Sequence, residues 1–203
     1  MESFIRRNFE LLHGQCDPSW LRSATVSLDS EVELVISDVT LRLPQINTGS
    51  LFFRELEVAV ETDAALLGVV IYRIAHGIFR RNPHDPVLPY FAHLMRFRSS
   101  LEVYYSTSIG PRFRIEHGMG LVIGPRNSIG SDFTVHQGVT LGQRRMFAGS
   151  ETISVGNNCQ IFAGAKVVGA VQIGDNVKVG ANAVLLTDAE SGGTYVGIPA
   201  RRR

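Results

Sequence analysis

Aliphatic residues recur every sixth position through the second half of this chain. Ile123, Ile129, Val135 and Leu141 form one series, and Val155, Ile161, Val167, Ile173, Val179 and Leu185 form another. Glycine directly follows the aliphatic at Gly124, Gly130, Gly142, Gly156, Gly174 and Gly180. Four positions after the aliphatic comes a further small or apolar residue: Val139, Cys159, Ala165, Val171, Val177 or Ala183. Ten aliphatics in two registers of six are improbable by chance. They are the signature of a hexapeptide repeat and hence of a parallel β-helix. Each hexad supplies one short strand and one turn, and three hexads close a triangular coil of about 18 residues. The aliphatics point inward and stack, and glycine or asparagine relieves the turns that need positive φ.

The repeat is broken in two places. Val103, Ile109 and Ile115 step by six, but Ile115 to Ile123 is eight, so two residues are inserted just after His117. Leu141 to Val155 is fourteen, so the residues of loop 143–154 leave the coil. Insertions in a solenoid decorate one face, often the binding face. Both breaks direct attention to "RIEHGMGLVIG" (114–124) and to the loop.

Residues 1–100 read as a helical domain, and residues 101–203 as the β-helix domain with its extruded loop. In "SLFFRELEVAVETDAALLGVVIYRIAHGIFRR" the residues Leu66, Val69, Val70, Arg73, Ile74 and Gly77 fall at steps of three and four. Ser50 or Thr62 is expected to cap a helix start. The three prolines of "NPHDPVLPY" predict a break, followed by a last helix over "YFAHLMRFRSSLE". "ATVSLDSEVELVISDVTLRLPQ" mixes strand-like and helical signals and yields no assignment. A net charge of +1 over 203 residues does not suggest nucleic acid or an anionic membrane as partner. The two cysteines, Cys16 and Cys159, have no metal or disulfide spacing and fit a reducing cytoplasm. No metal is expected. "MESFIRRNFELLHG" lacks the apolar core of a signal peptide, and no stretch approaches the roughly 18 apolar residues of a membrane span.

The order of "YRIAH", "EHGMGLVIG", "HQGVTLGQ", "FAGAKVVGAVQIGDNVKVGANAVLL" and "VGIPARR" resembles the serine acetyltransferases of the hexapeptide acyltransferase superfamily. The resemblance covers roughly residues 66–202. It implies an α+β chain in which the coil is a left-handed parallel β-helix. It also implies acetyl-CoA as donor and homotrimers, or dimers of trimers, with active sites between neighbouring subunits. The family's Asp-His-x-x-Gly falls on Glu116, His117 and Gly120, which makes His117 the general base and Glu116 a substrate-holding acid. The family's ring-orienting Asp, fifteen residues earlier, falls on Glu102. The Arg-His pair that ends the family's loop falls on Glu151 and Thr152, so Arg144 and Arg145 become the candidate carboxylate binders. The family's Arg-Asp-Pro segment is echoed only distantly by residues 61–64. The CoA groove is expected along the coil at Gly142, Ala163, Gly164, Ala165 and Lys166, with Lys178 and the C-terminal arginines facing phosphates.

Acetyl transfer from a thioester to a hydroxyl needs a base, an orienter for it, oxyanion donors and a CoA groove. An imidazole, with an ordinary pKa of about 6.5, suits the first role. A carboxylate on its far nitrogen suits the second, and turn N–H groups near Gly138 or Gly142 suit the third. Cys159 sits at an inward repeat position and reads as core. His136 reads as a polar turn residue or as part of the acceptor pocket, and His76 as a packed histidine between helix and coil. Lys166 and Lys178 read equally as solvated corners. The leading function is O-acetylation of L-serine by direct attack. A sugar or other hydroxyl is the alternative acceptor, and a non-catalytic hexapeptide scaffold is the second alternative.

Overall fold

The computed structural model describes residues 29–42, 52–144 and 151–203. Among the described residues four helices precede the strands: α1 (Asp29–Arg42), α2 (Phe52–Thr62), α3 (Ala64–Arg81) and α4 (Leu88–Ser99). The ambiguous stretch before residue 45 is therefore helical over α1. The start of α3 is capped by Asp63, whose Oδ1 accepts from the N–H groups of Ala65 and Leu66 at 3.0 and 3.1 Å. Thr62 does not cap it: its hydroxyl bonds back to the carbonyls of Val58 and Ala59 at the end of α2. Ser50 lies outside the described residues, as do Cys16 and Arg145. The proline-rich break and a last helix are present as expected, but the helix begins at Leu88, inside the expected break, with a proline in its first turn, and ends at Ser99, so that Glu102 opens the coil instead.

From Glu102 the chain winds as a prism with three parallel faces. The first holds β1 (Glu102–Val103), β4 (Val122–Ile123), β7 (Thr140–Gly142), β10 (Lys166–Val168) and β13 (Val184–Leu185). The second holds β2 (Ser108–Ile109), β5 (Ser128–Ile129), β8 (Ser154–Val155) and β11 (Gln172–Ile173). The third holds β3 (Arg114–Glu116), β6 (Thr134–His136), β9 (Gln160–Ile161), β12 (Lys178–Val179) and β14 (Thr194–Val196), with β15 (Arg201–Arg202) antiparallel at its end. This is a left-handed parallel β-helix preceded by helices.

The register explains the period of six. Val103, Ile123, Leu141, Val167 and Leu185 stack inside the first face, and Ile115, Val135, Ile161 and Val179 inside the third, each nearly or fully buried. Each such aliphatic contributes about 1.5–3 kcal/mol relative to exposure. Cys159 lies in this core, where burial pushes its thiol above the usual range. The glycine after each aliphatic has a steric cause on the second face. A Cβ on Gly130 would sit 2.8 Å from the Gly156 carbonyl oxygen, because successive coils pass backbone to backbone there.

A β-helix presents an unpaired edge at each end. Helix α3 covers the lower one through the "YRIAH" segment. Tyr72 Oη donates to the Thr107 carbonyl at 2.8 Å, and the ring of His76 bonds through Nδ1 to the Tyr105 carbonyl at 2.7 Å. Arg73, wholly buried, donates to the carbonyls of Ile109 and Gly110 at 2.5 and 2.6 Å. Its charge is met by Asp38 of α1 (Nε to Oδ2, 2.7 Å), which in turn accepts from the Phe113 N–H at 2.8 Å. Helices and coil are thus joined immediately before β3.

Candidate active site at the slipped corner

The corner between the third and first faces recurs once per coil. In the upper coils it is a left-handed glycine or asparagine: Gly138 (φ 67°), Gly164 (φ 72°) and Asn182 (φ 56°). Beneath them the corner is two residues longer and contains His117. The Gly118 N–H donates to the Glu116 carbonyl at 2.7 Å across His117, whose φ is 63°. That is a γ-turn, a rare conformation for a residue with a Cβ. Leu121 N–H then bonds to the Gly118 carbonyl, and Gly120 N–H to the Ser100 carbonyl of the coil below. The extra residues therefore form a rigid blister that pushes the His117 side chain into solvent at the prism edge. Among the described residues its ring makes no hydrogen bond.

Glu116 points outward from β3 and is half-buried between two guanidinium groups. Arg114, on the same strand, pairs with one carboxylate oxygen, and Arg42 Nη1 stands 3.8 Å from the other. Arg42 is itself fixed, donating to Asp63 at 2.6 Å and to the Ile115 carbonyl at 2.7 Å. Glu116 is in register with His136 of β6. The His136 ring stacks on Phe162 (centroids 5.2 Å apart) and meets the Gln160 amide nitrogen at 3.3 Å through Nε2. Partial burial holds the His136 pKa below the usual value, with Glu116 opposing and His117 and Arg114 reinforcing that shift.

Glu102 stands at the same edge, one coil below, where its N–H bonds to the Leu121 carbonyl at 2.8 Å. Its carboxylate is held by Arg96 Nη1 at 3.1 Å, and among the described residues it makes no bond to His117. Ala163 and Gly164 lie on the His117 edge, two coils above. Ala165, however, is fully buried and offers a groove no side chain, because it occupies an inward repeat position. Lys166 reaches down to the Gly138 carbonyl and to Thr140 Oγ1 at 3.2 Å, so its ammonium staples the corner and is not free in solvent. The Gly138 N–H is likewise spent on the Met119 carbonyl at 2.9 Å and is no oxyanion donor.

Other expected residues are elsewhere. Gly142 is the last residue of β7 and Arg144 follows it at the next corner of the prism, with Arg144 Nη2 on the Leu186 carbonyl at 2.6 Å. Glu151 accepts from the Arg144 N–H at 2.8 Å, and its carbonyl accepts from Gln143 Nε2 at 3.0 Å, so the loop closes on itself at its base. Lys178 is exposed on the third face, in line with Gln160. Arg201 and Arg202 belong to the strand that closes the top of the coil, where Arg202 pairs with Glu190. Sequence reasoning missed Arg42 and Arg114, and met Asp63 only in the distant echo over residues 61–64. Arg114 had a signal, being two residues before Glu116 and hence on the same side of the strand.

Residues 152–187 match the family model described as bacterial transferase hexapeptide (six repeats). The serine acetyltransferase of Helicobacter pylori is 41% identical over 133 residues, which cover 66% of this chain and 77% of that protein. The crystal structure of Neisseria gonorrhoeae serine acetyltransferase superposes with a TM-score of 0.82 at 20% identity, covering 98% of this chain and 77% of that one. The Brucella abortus serine acetyltransferase in complex with coenzyme A gives 0.80 at 22% identity, with 99% and 80% covered. The slipped corner with its histidine, set in a left-handed coil under a helical cap, therefore has a family: this chain belongs to the serine acetyltransferases.

Proposed function

We infer that the protein moves the acetyl group of acetyl-CoA to the hydroxyl of L-serine, with His117 as general base. One observation carries this reading: in a chain of this family, the one lengthened corner of its edge among the described residues lifts a histidine into solvent beside a carboxylate. The acceptor hydroxyl gives its proton to the imidazole as its oxygen attacks the thioester carbonyl. The tetrahedral oxyanion collapses, the carbon–sulfur bond breaks, and the imidazolium returns the proton to the departing thiolate. A neutral imidazole is suited to both transfers near pH 7. No acyl-enzyme is required, and the buried Cys159 takes no part.

In this reading Glu102, on the same edge one coil below, orients the His117 ring once Arg96 yields or shares it, and the small residues Ala163 and Gly164 suit an approaching pantetheine arm. Assembly as a homotrimer is part of the same reading. In such a trimer the site lies between neighbouring subunits, and Met119 and Val122, exposed beside His117, are apolar surface for such a contact. The coenzyme-bound Brucella relative supports the donor, and the scarcity of cysteine supports a cytoplasmic setting. No helix among the described residues is long and apolar enough to cross a membrane.

The test is thiol release from acetyl-CoA with L-serine and a panel of sugars. Saturable activity with serine is expected, and His117→Ala should lower kcat by about 10²–10⁴-fold while acetyl-CoA still binds. Full activity in His117→Ala refutes the base. Turnover of sugars but not serine moves the protein to another acceptor, and no release with any hydroxyl leaves a non-catalytic scaffold.

A further inference from the structure

We propose that Arg114 is the specificity-determining cation of this site, receiving the carboxylate of the acceptor. The proposal rests on the serine reading above and assigns a part of the pocket that the loop does not supply. At the loop, residue 151 is an acid whose carboxylate is tied to the Arg144 backbone, and Arg144 itself is bound to the Leu186 carbonyl one corner away from His117. At the His117 edge, Arg42 is consumed by Asp63 and by the Ile115 carbonyl. Arg114 differs from both. Its side chain is 40% exposed, it faces outward from β3, and its Nε lies against Glu116 as a charge pair without hydrogen-bond geometry. Among the described residues its guanidinium makes no hydrogen bond, so the planar pair of Nη groups remains for a bidentate carboxylate.

The spacing fits a small zwitterion. Arg114 and Glu116 are alternate residues of one strand, so their Cα atoms are about 6.6 Å apart on the same side, and His117 follows directly. A 2-amino-3-hydroxy acid laid along this strand meets three groups in order: carboxylate at Arg114, ammonium at Glu116, hydroxyl at His117. Each acceptor charge meets its opposite, and the Arg114–Glu116 pair is widened into a four-charge array rather than broken. A neutral sugar would leave both protein charges facing a molecule that offers neither partner.

The experiment compares L-serine with ethanolamine, which keeps the hydroxyl and ammonium and lacks the carboxylate, in wild type, Arg114→Gln and Arg114→Lys. Wild type should favour serine in kcat/KM. In Arg114→Gln that preference should fall about ten- to a hundredfold, as expected for one lost charged contact worth about 1.5–3 kcal/mol, with the loss in the KM for serine and the KM for acetyl-CoA held. Arg114→Lys should restore part of it. An unchanged serine-to-ethanolamine ratio in Arg114→Gln, with wild type active on serine, overturns the Arg114 assignment alone. A parallel fall for both acceptors also overturns it, since that marks a structural role. Wild type inactive on serine overturns this proposal together with the reading on which it rests.

Discussion

Replacing Arg73 by methionine is the most demanding test of how the helices hold the site. The side chain is 0% exposed and makes four hydrogen bonds: two to Asp38, at 2.7 and 3.3 Å, and one each to the Ile109 and Gly110 carbonyls. Methionine fills most of the volume, so the loss is electrostatic. Removing one partner of a buried ion pair costs about 3–5 kcal/mol, because the other charge is left without compensation. Two carbonyls lose their donor as well, so the upper half of that range is expected. For a chain of this size each kcal/mol is worth about 2–4 °C, which gives a fall in Tm of roughly 8–20 °C. Burial already pushes the Asp38 carboxyl above its usual range, and the guanidinium opposes this. Without Arg73 the carboxyl rises further and takes up a proton in the folded state. A raised folded pKa gives stability that is present below the unfolded value and lost as pH rises through the folded one. The gap between variant and wild type should therefore narrow as pH falls from 8 to 5. Thermal unfolding followed by circular dichroism measures both quantities. Asp38 also holds the Phe113 N–H, one residue before β3, so serine acetylation should drop at temperatures where the variant is still folded. A Tm within 2 °C of wild type, or a gap that widens in acid, refutes the account of this pair as the joint between helices and coil.

Two further expectations concern the glycine columns and His76. Gly130→Ala should be clearly more damaging than Gly138→Ala. The first places a Cβ 2.8 Å from a backbone carbonyl oxygen, whereas the second meets only ordinary contact at 3.6 Å with φ of 67°. About 1–3 kcal/mol of overpacking, at the upper end because the clash is with backbone, against about 1–2 kcal/mol of left-handed strain predicts the order, and equal melting temperatures contradict it. The His76 ring stacks on Tyr72 and bonds to the Tyr105 carbonyl, and burial holds its pKa below the usual 6.5. A depressed folded value gives stability present above the unfolded pKa and lost as pH falls through the folded one. Wild-type Tm should decline from pH 7.5 to 5, and His76→Gln should flatten part of that decline. An identical slope in the variant removes His76 as its source.

The coil was legible because its period is a packing rule: an inward aliphatic at each face and a corner every sixth residue follow from local geometry alone. The same rule exposed His117, since two extra residues in a rigid corner must protrude. It also contained the answer for Ala165, four positions after Ile161 and therefore inward, so treating that residue as groove wall set family likeness above the repeat. What the period cannot carry is where a long side chain ends. The motif sets Lys166 in the groove wall, but only its rotamer decides between the groove and the Gly138 carbonyl. Arg42 was invisible for a stronger reason. It reaches the Ile115 carbonyl across 73 residues of sequence, from a helix whose pattern is too mixed to read, and Asp63 serves at once as helix cap and as its counter-ion. The surroundings of Glu116 are thus built in part by a long-range ion pair from Arg42, while His117 is positioned by a strictly local one-corner slip. That division explains why the histidine is readable from a short motif and Arg42 is not.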